Sequence, residues 1–298
     1  MRHVIYEGTK LSKLALGTVQ FGLDYGISNA SGQPSQEKVN SIISYVISKG
    51  INCFDTAQAY GNSEKVLGEA VQNDKSFIIS KLKSEVFKKN AYENVKASLI
   101  KLNQKALYAL LLHDSELLLN WDDTYSLQVK KLKEAGLIKN FGVSIYSQEE
   151  FEAALHNESI DFIQIPFNLF DQRAISFDWF KKAKQNKKLL FIRSIFLQGL
   201  FFLDEEALPA KLDAAKEALS DLETYCKEYD MTMSELALSF VDSVATDALL
   251  LFGCDTLEQA KENIHHYNNL KHLDSSQISL LHHRFKDIDE QIYNPGKW

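Results

Sequence analysis

The feature that most constrains this chain is a repeat of pattern rather than of letters: a short apolar run followed by an amphipathic helical stretch, recurring along the whole sequence. The runs are "LALGTVQF", "NCFDTA", "FIISKL", "ALYALLLHD", "NFGVSI", "DFIQIPF", "LLFIRSIF" and "ALLLFG". Between them lie stretches such as "SQEKVNSIISYVISKG", in which Val39, Ile42, Ile43, Val46 and Ile47 share a helical face and Gly50 supplies a stop. "SEKVLGEAVQN", "ENVKASLIKLN", "DTYSLQVKKLKEAG", "QEEFEAALHN", "FDWFKKAKQNK", "SELALSFVDSV" and "LEQAKENIHHY" continue the alternation. Apolar strands separated by amphipathic helices imply a parallel sheet covered by helices. Eight such units predict a closed (β/α)₈ TIM barrel rather than an open doubly wound sheet. No GxGxxG follows the first strand, which weakens the open alternative further. "HVIYEG" reads as the first arm of an N-terminal β-hairpin. Extra helices are expected after strand seven, in "LPAKLDAAKEALSDLETYCKEYD", and at the C-terminus, in "SSQISLLHHRFKDIDEQI". With 298 residues, four prolines and no low-complexity stretch, nothing resembles a linker, so residues 1–298 are expected to form a single barrel domain.

Composition removes several function classes. A net charge of −7 is the wrong sign for a nucleic-acid surface, so no nucleic-acid partner is expected. The N-terminal "MRHVIYEGTKLSKLALG" lacks a signal-peptide core, and apolar runs such as "ALYALLL" are too short to cross a bilayer. Three cysteines, Cys53, Cys226 and Cys254, form no CxxC, so a reduced, cytoplasmic compartment is expected and no membrane partner. Cys53 and Cys254 sit on strand-like runs and read as packing residues. No metal-ligand constellation stands out; the HH pairs at 265–266 and 282–283 read as solvated helix surface.

Reactive side chains of such a barrel sit where strands end. Asp55 closes the second strand and Tyr60 follows it; Lys81 closes the third and His113 the fourth. Singly, each has an ordinary explanation as a cap, a half-buried aromatic, a snorkelling lysine or a core histidine. Together they read as chemistry. A lysine buried near a barrel mouth needs a carboxylate, and Asp55 stands on the neighbouring strand. An ammonium beside Tyr60 is expected to lower the phenol pKa and make it a better proton donor. His113 can hydrogen-bond a carbonyl oxygen and orient it.

The stretch "FDTAQAYGNSEKVLGEA" resembles the DTA-x-x-YG-x-SE-x-x-LG signature of the aldo-keto reductases, and the likeness runs from "LALGTVQFG" to "LEQAKEN". "FGVSI", "DFIQIPFNLFDQR" and "RSIFLQGLF" resemble later segments of that family, most of all its branch found among bacterial carbohydrate-pathway enzymes. The resemblance implies NADPH- or NADH-dependent reduction of a carbonyl, with Asp55, Tyr60, Lys81 and His113 as catalytic tetrad and Tyr60 as general acid. It places Ser144 and Gln164 on the nicotinamide carboxamide, and Arg193 where many members stack a tyrosine. Ser194, Leu197, Gln198 and Gly199 would follow the pyrophosphate; Gly253, Thr256, Gln259 and Asn263 would hold the adenosine half. Asn168 matches a frequent Asn of unassigned role. Asp255 stands where a cation often meets the 2′-phosphate of NADP, so NADP and NAD both remain open, with Lys261 or Lys271 as candidate substitutes for that cation. A small carbonyl compound is the expected partner, with sugar-derived carbonyls among the candidates, in a pocket built from Phe21 to Tyr25, Tyr60, Trp121, Phe170, Phe201, Phe202 and Trp298. Asp24, Asn62 and Arg173 are candidates to meet substrate hydroxyls or an anion there. Two other functions compete: a redox-sensing barrel that binds cofactor with slow turnover, and a Schiff-base aldolase using Lys81, which Asp55 opposes by keeping the amine protonated. Oligomeric state is left open.

Overall fold

The computed structural model describes residues 1–27, 29, 32–71 and 75–298. It opens with a hairpin, β1 (His3–Tyr6) against β2 (Thr9–Ser12), paired antiparallel. The turn between them puts both Glu7 and Gly8 at positive φ, 45° and 74°, the backbone a two-residue hairpin loop requires. Eight strands follow: β3 (Leu14–Gly17), β4 (Cys53–Asp55), β5 (Phe77–Leu82), β6 (Leu107–Leu112), β7 (Ile138–Ser144), β8 (Phe162–Pro166), β9 (Leu189–Arg193) and β10 (Leu249–Phe252). All pair in parallel with their sequence neighbours, and β10 returns to β3 to close the barrel.

Helices α1 (Gln36–Ser48), α2 (Ser63–Ala70), α3 (Ser84–Leu102), α4 (Asp123–Glu134), α5 (Gln148–His156), α6 (Arg173–Ser176) and α7 (Trp179–Gln185) fill the connections up to β9. Three short 3₁₀ segments follow the seventh barrel strand; the last of them (Ala210–Ala215) and α8 (Lys216–Glu228) make up the expected insertion, ahead of α9 (Met233–Val244). After β10 come α10 (Leu257–Asn268), α11 (Ser275–Phe285) and α12 (Glu290–Tyr293). Three boundaries differ from the sequence expectation. The helix read over "SEKVLGEAVQN" is observed to Ala70, and Gln72 and Asn73 lie outside the described residues. α3 begins ten residues or so earlier than its apolar pattern suggests, because a kink at Asn90 (φ −161°) divides two helical stretches whose faces do not run on. The terminal "SSQISLLHHRFKDIDEQI" is two helices, since the Asp289 side chain accepts from the Gln291 amide (2.7 Å) and starts a new one.

Strand parity decides what the barrel holds. Leu14, Leu16, Phe54, Ile78, Leu110, Leu112, Val143, Ile163, Ile192 and Phe252 join the outer core shared with the helices. Their alternating neighbours Ala15, Cys53, Ile79, Ala109, Leu111, Phe162, Phe191 and Leu251 form a separate inner cluster. The hairpin plugs the end of that inner cluster: Tyr6 meets Phe162 edge-on at 5.1 Å, and Leu11 is fully buried in it. The interior is thus packed apolar at the end where strands begin. Two residues further along, the same inward direction carries polar side chains from six of the eight barrel strands and glycine from the other two. Among the described residues no helix is long and apolar enough to cross a membrane.

Phe162 lies at the centre of the inner cluster, touching Tyr6, Tyr108 and Phe191 with ring separations of 5.1–5.8 Å. Phe162→Ala should therefore destabilise the fold by about 3–5 kcal/mol in denaturant unfolding; a loss below ~1 kcal/mol would show that the interior does not depend on this ring.

Candidate active site

The inward positions beyond the apolar layer are Gly17, Asp55, Lys81, His113, Ser144, Gln164, Arg193 and Gly253, each two residues past an inward residue of its strand. All of them except Lys81 line one cavity of about 780 Å³ at the strand C-terminal end. The remaining sequence candidates divide. Tyr60, Ser194, Gln198, Gly199, Gln259 and Asn263 also line it. Leu197 is fully buried behind the loop, and Thr256 turns its hydroxyl to the Gln259 amide (3.2 Å) as the cap of α10.

Lys81 forms the floor. Its ammonium is ion-paired with Asp55, donates also to the Thr56 carbonyl (3.1 Å), and is 1% exposed. The second carboxylate oxygen of Asp55 accepts from the Gln164 side-chain amide at 3.0 Å. Gln164 is therefore engaged with the ion pair from below while its strand position faces the cavity. Burial pushes the Lys81 amine down and Asp55 holds it up against that push. The Lys81 ammonium lies 5.1 Å from the centre of the Tyr60 ring, and His113 meets that ring edge-on at 5.3 Å.

Tyr60 is positioned by two glycines. A methyl group on Gly22 would sit 1.9 Å from the Tyr60 carbonyl oxygen, and one on Gly61 (φ +56°) would sit 2.2 Å from the Gly22 carbonyl oxygen. The loops after β3 and β4 thus touch backbone to backbone, which only glycine allows. Ser63 locks the arrangement: its hydroxyl bonds to the Thr18 carbonyl (2.7 Å) and to the hydroxyls of Thr18 and Thr56.

The electrostatics correct one expectation. The Tyr60 phenol is raised, not lowered: burial acts most, the Asp55 charge adds to it, and Arg193 opposes. Asp55 lies directly on Lys81, so the pair presents little net positive field to the ring. His113 is pushed down to about 4, by burial first and then by the Lys81 charge, so its imidazole is neutral at physiological pH.

Several cavity residues carried no signal in their sequence surroundings: Gln20, Tyr146, Phe196 and Glu262. Gln20 lies against Gly253, where a methyl would meet its amide nitrogen at 2.4 Å, and its carbonyl oxygen is buried without a partner. Tyr146 lies in the loop just past the end of β7, and the Arg193 guanidinium carbon lies over its ring, 4.1 Å from the centre. Asn168 gains a role: its side chain clamps its own loop at the Phe170 and Asp171 amides (2.8 and 2.9 Å) and donates to the Ser194 carbonyl (3.0 Å).

Other expected pocket walls lie elsewhere. Phe170 and Phe201 are buried against each other, and Trp121 packs on Phe87, Tyr125 and Phe141. Trp298 donates to the Gln291 carbonyl, leaving Pro295 and Gly296 to face the cavity. Arg173 is an anchor, bonded twice to Asp171 (2.8 and 2.6 Å) and to the Tyr146 carbonyl, with its guanidinium over Tyr293. One histidine of each HH pair is also partnered: His266 lies 3.5 Å from Glu235, and His282 bonds Gln172 at 2.8 Å.

The cavity has features that fit a dinucleotide. Ser194, Leu197, Gln198 and Gly199 all take positive φ, a backbone path that forms anion-binding concavities. The Leu197 and Gly199 amides are used within this loop, while the Gln198 carbonyl accepts from the Ile27 amide (3.1 Å), tying the loop to the one after β3. The orphan Gln20 oxygen and the Gly253 backbone it packs against line the cavity together with Asp255 and Gln259, at the start of α10.

A family model described as "Aldo/keto reductase family" matches residues 13–283, and the chain belongs to that family of NAD(P)-dependent oxidoreductases. It is 26% identical to the uncharacterized oxidoreductase YqkF of Bacillus subtilis, covering 93% of this chain and 98% of that protein. It is 24% identical to D-arabinose 1-dehydrogenase of Saccharomyces cerevisiae, over 97% of this chain and 94% of the yeast one. In structure it is similar to an aldo-keto reductase from Bacillus halodurans in its holo form, with TM-score 0.76, 21% identity and coverage of 100% and 99% of the two chains. A Klebsiella pneumoniae aldo-keto reductase in complex with NADPH gives TM-score 0.72 at 18% identity, covering 96% and 95%.

Two outcomes follow from this geometry. Gly22→Ala should cost about 1–3 kcal/mol in unfolding, because the two loops must separate; unchanged stability would mean that they do not touch. The His113 imidazole resonances should titrate near pH 4, well below the ordinary value. Because folding lowers this pKa, its contribution to stability is intact above about pH 6.5 and is lost as pH falls toward 4. A midpoint at 6.5 would show an open, solvated ring.

Proposed function

We propose that this protein reduces the carbonyl group of a small molecule, with NADH as the preferred hydride source and Tyr60 as the proton donor. The observation that supports it most is the stacking of functions at one point: Tyr60, after β4, and His113, after β6, face the cavity and meet edge-on, beside the Lys81–Asp55 pair formed between β5 and β4. When bound, a reduced nicotinamide supplies the hydride to the carbonyl carbon. His113, neutral at working pH, donates an N–H toward the carbonyl oxygen and fixes its direction. The raised phenol of Tyr60 stays protonated until charge develops on that oxygen, and then gives up its proton. The Arg193 charge favours the phenolate left behind, and Asp55, held by Gln164, keeps Lys81 charged and in place beneath the ring. Ser144 and Gln164 are the candidate holders of the carboxamide, and Arg193 flanks the same end of the cavity. The loop from Ser194 to Gly199, with its positive-φ residues, is the candidate pyrophosphate cradle. A Schiff-base role for Lys81 is disfavoured, since that amine does not line the cavity and is ion-paired.

The preference for NADH rests on the rim beside α10. Asp255 and Glu262 line it, and the only Lys or Arg among the cavity-lining residues is Arg193, which stands on β9. Burial and the nearby charge of Asp24 push the Asp255 carboxyl up, so a further anion there is opposed. Lys261 sits 4.0 Å from Glu258, and Lys271 reaches Asp230, so neither supplies the missing cation to the rim. A ribose 2′-hydroxyl can donate to such a carboxylate, whereas a 2′-phosphate is repelled. One relative, the NADH-specific methylglyoxal reductase of Escherichia coli, is 23% identical over 89% of this chain. The yeast relative's name supports sugar-derived carbonyls as the first substrates to try.

Two experiments test this reading. Tyr60→Phe should reduce turnover of small aldehydes and keto-sugars by at least about a hundredfold while NADH binding, read by its fluorescence, stays within threefold or so. Retained turnover would remove Tyr60 as the acid. Asp255→Arg should tighten NADPH binding about tenfold or more and leave NADH nearly unchanged; NADPH binding as tightly as NADH to the unaltered protein would refute the cofactor preference.

A further inference from the structure

Arg193 carries a charge that no carboxylate among the described residues pairs with. It ends β9 inside the barrel, where one guanidinium nitrogen donates to the Ile145 carbonyl (3.1 Å) and the other lies 3.4 Å from the Ser194 hydroxyl. The Tyr146 ring backs the guanidinium plane at 4.1 Å, so the cation is held from two sides. Among the described residues no carboxylate pairs with it, whereas Lys81, the other cation of this end, is neutralised by Asp55. His113 is neutral, and the rim carboxylates Asp255 and Glu262 belong to the α10 end of the cavity. The Arg193 field reaches the reacting end: it pulls the Tyr60 and Tyr25 phenols and the His113 imidazole down.

Resting on the nicotinamide reading above, we propose that Arg193 sorts the redox state of the dinucleotide, so that the oxidised form binds more weakly than the reduced one. The hydride leaves with both electrons of its C–H bond, the carbonyl carbon gains it, and the oxygen takes the phenol proton. The ring that gave the hydride goes from neutral to one positive charge. Any hydride donor able to reach a carbonyl held by Tyr60 and His113 lies at the end of the cavity that Arg193 also lines. The charge that appears on oxidation therefore arises beside a fixed, uncompensated cation. The same repulsion speeds departure of the oxidised dinucleotide after a reduction.

The test is a ratio of dissociation constants, with NADH titrated by fluorescence and NAD⁺ by displacement of NADH. In the unaltered protein NAD⁺ should bind at least about tenfold more weakly, equal to ~1.4 kcal/mol. Arg193→Gln and Arg193→Met should each bring the ratio toward one, and Arg193→Lys should retain it. Lost packing, or a lost contact to the pyrophosphate, weakens both forms alike and cancels in the ratio. A ratio near one in the unaltered protein, or an unchanged ratio in a folded neutral variant, overturns the proposal while leaving the reductase reading intact. If neither dinucleotide binds the unaltered protein, both readings fall.

Discussion

Closure of eight parallel strands into a barrel is the constraint from which the rest follows. Once the ring closes, every second side chain of each strand must point into a space of fixed width. Near the strand starts this space is filled by Ala15, Cys53, Ile79, Leu111, Phe162, Phe191 and Leu251, with the hairpin beneath them. All of these residues are buried. One step along, the same inward direction is taken by Asp55, Lys81, His113, Ser144, Gln164 and Arg193, which therefore meet without any loop having to carry them. Gly142 shows how tight the ring is: a methyl there would stand 2.4 Å from the Phe162 carbonyl oxygen on the next strand.

The polar layer holds two cations under opposite rules. Lys81 is buried and would be costly alone, but Asp55 pairs with it and Gln164 satisfies the other carboxylate oxygen, so no lone charge is left in the floor. Arg193 stands at the cavity surface with a carbonyl, a hydroxyl and an aromatic face for partners. The first arrangement spends its charge on rigidity. The second leaves charge available to whatever enters, and in this cavity that bears on the hydride donor as much as on the substrate.

Much of this was legible beforehand because pattern and physics point the same way. The alternation of apolar runs with amphipathic stretches led to the strand count, the closed barrel, the hairpin and the insertion before α9. A lysine at the end of an apolar strand asked for Asp55 one strand away, and the two are in contact. What was misread has identifiable causes. The lowering expected for Tyr60 considered Lys81 as a free charge, whereas Asp55 cancels most of its field and burial then dominates. Phe170, Phe201 and Trp121 looked like pocket walls because aromatic residues near strand ends can face either side of a loop, and these face the helices. Gln20 and Tyr146 gave no sign of their role, since each is brought to the cavity by a residue far away in the chain, Gln20 by Gly253 and Tyr146 by Arg193.

The sequence by itself determined the class of fold and the set of strand-end residues, because side-chain direction alternates with a period that composition cannot hide. Tertiary structure alone decided that Gly22 and Gly61 press two loops together behind Tyr60, that Asn168 secures the Ser194 turn, and that Arg193 lies on Tyr146 with no carboxylate among the described residues paired to it. Those facts depend on contacts between segments far apart in the chain, 47 positions separating Arg193 from Tyr146 (193 minus 146). No local propensity encodes such a meeting; it exists only once the ring has closed.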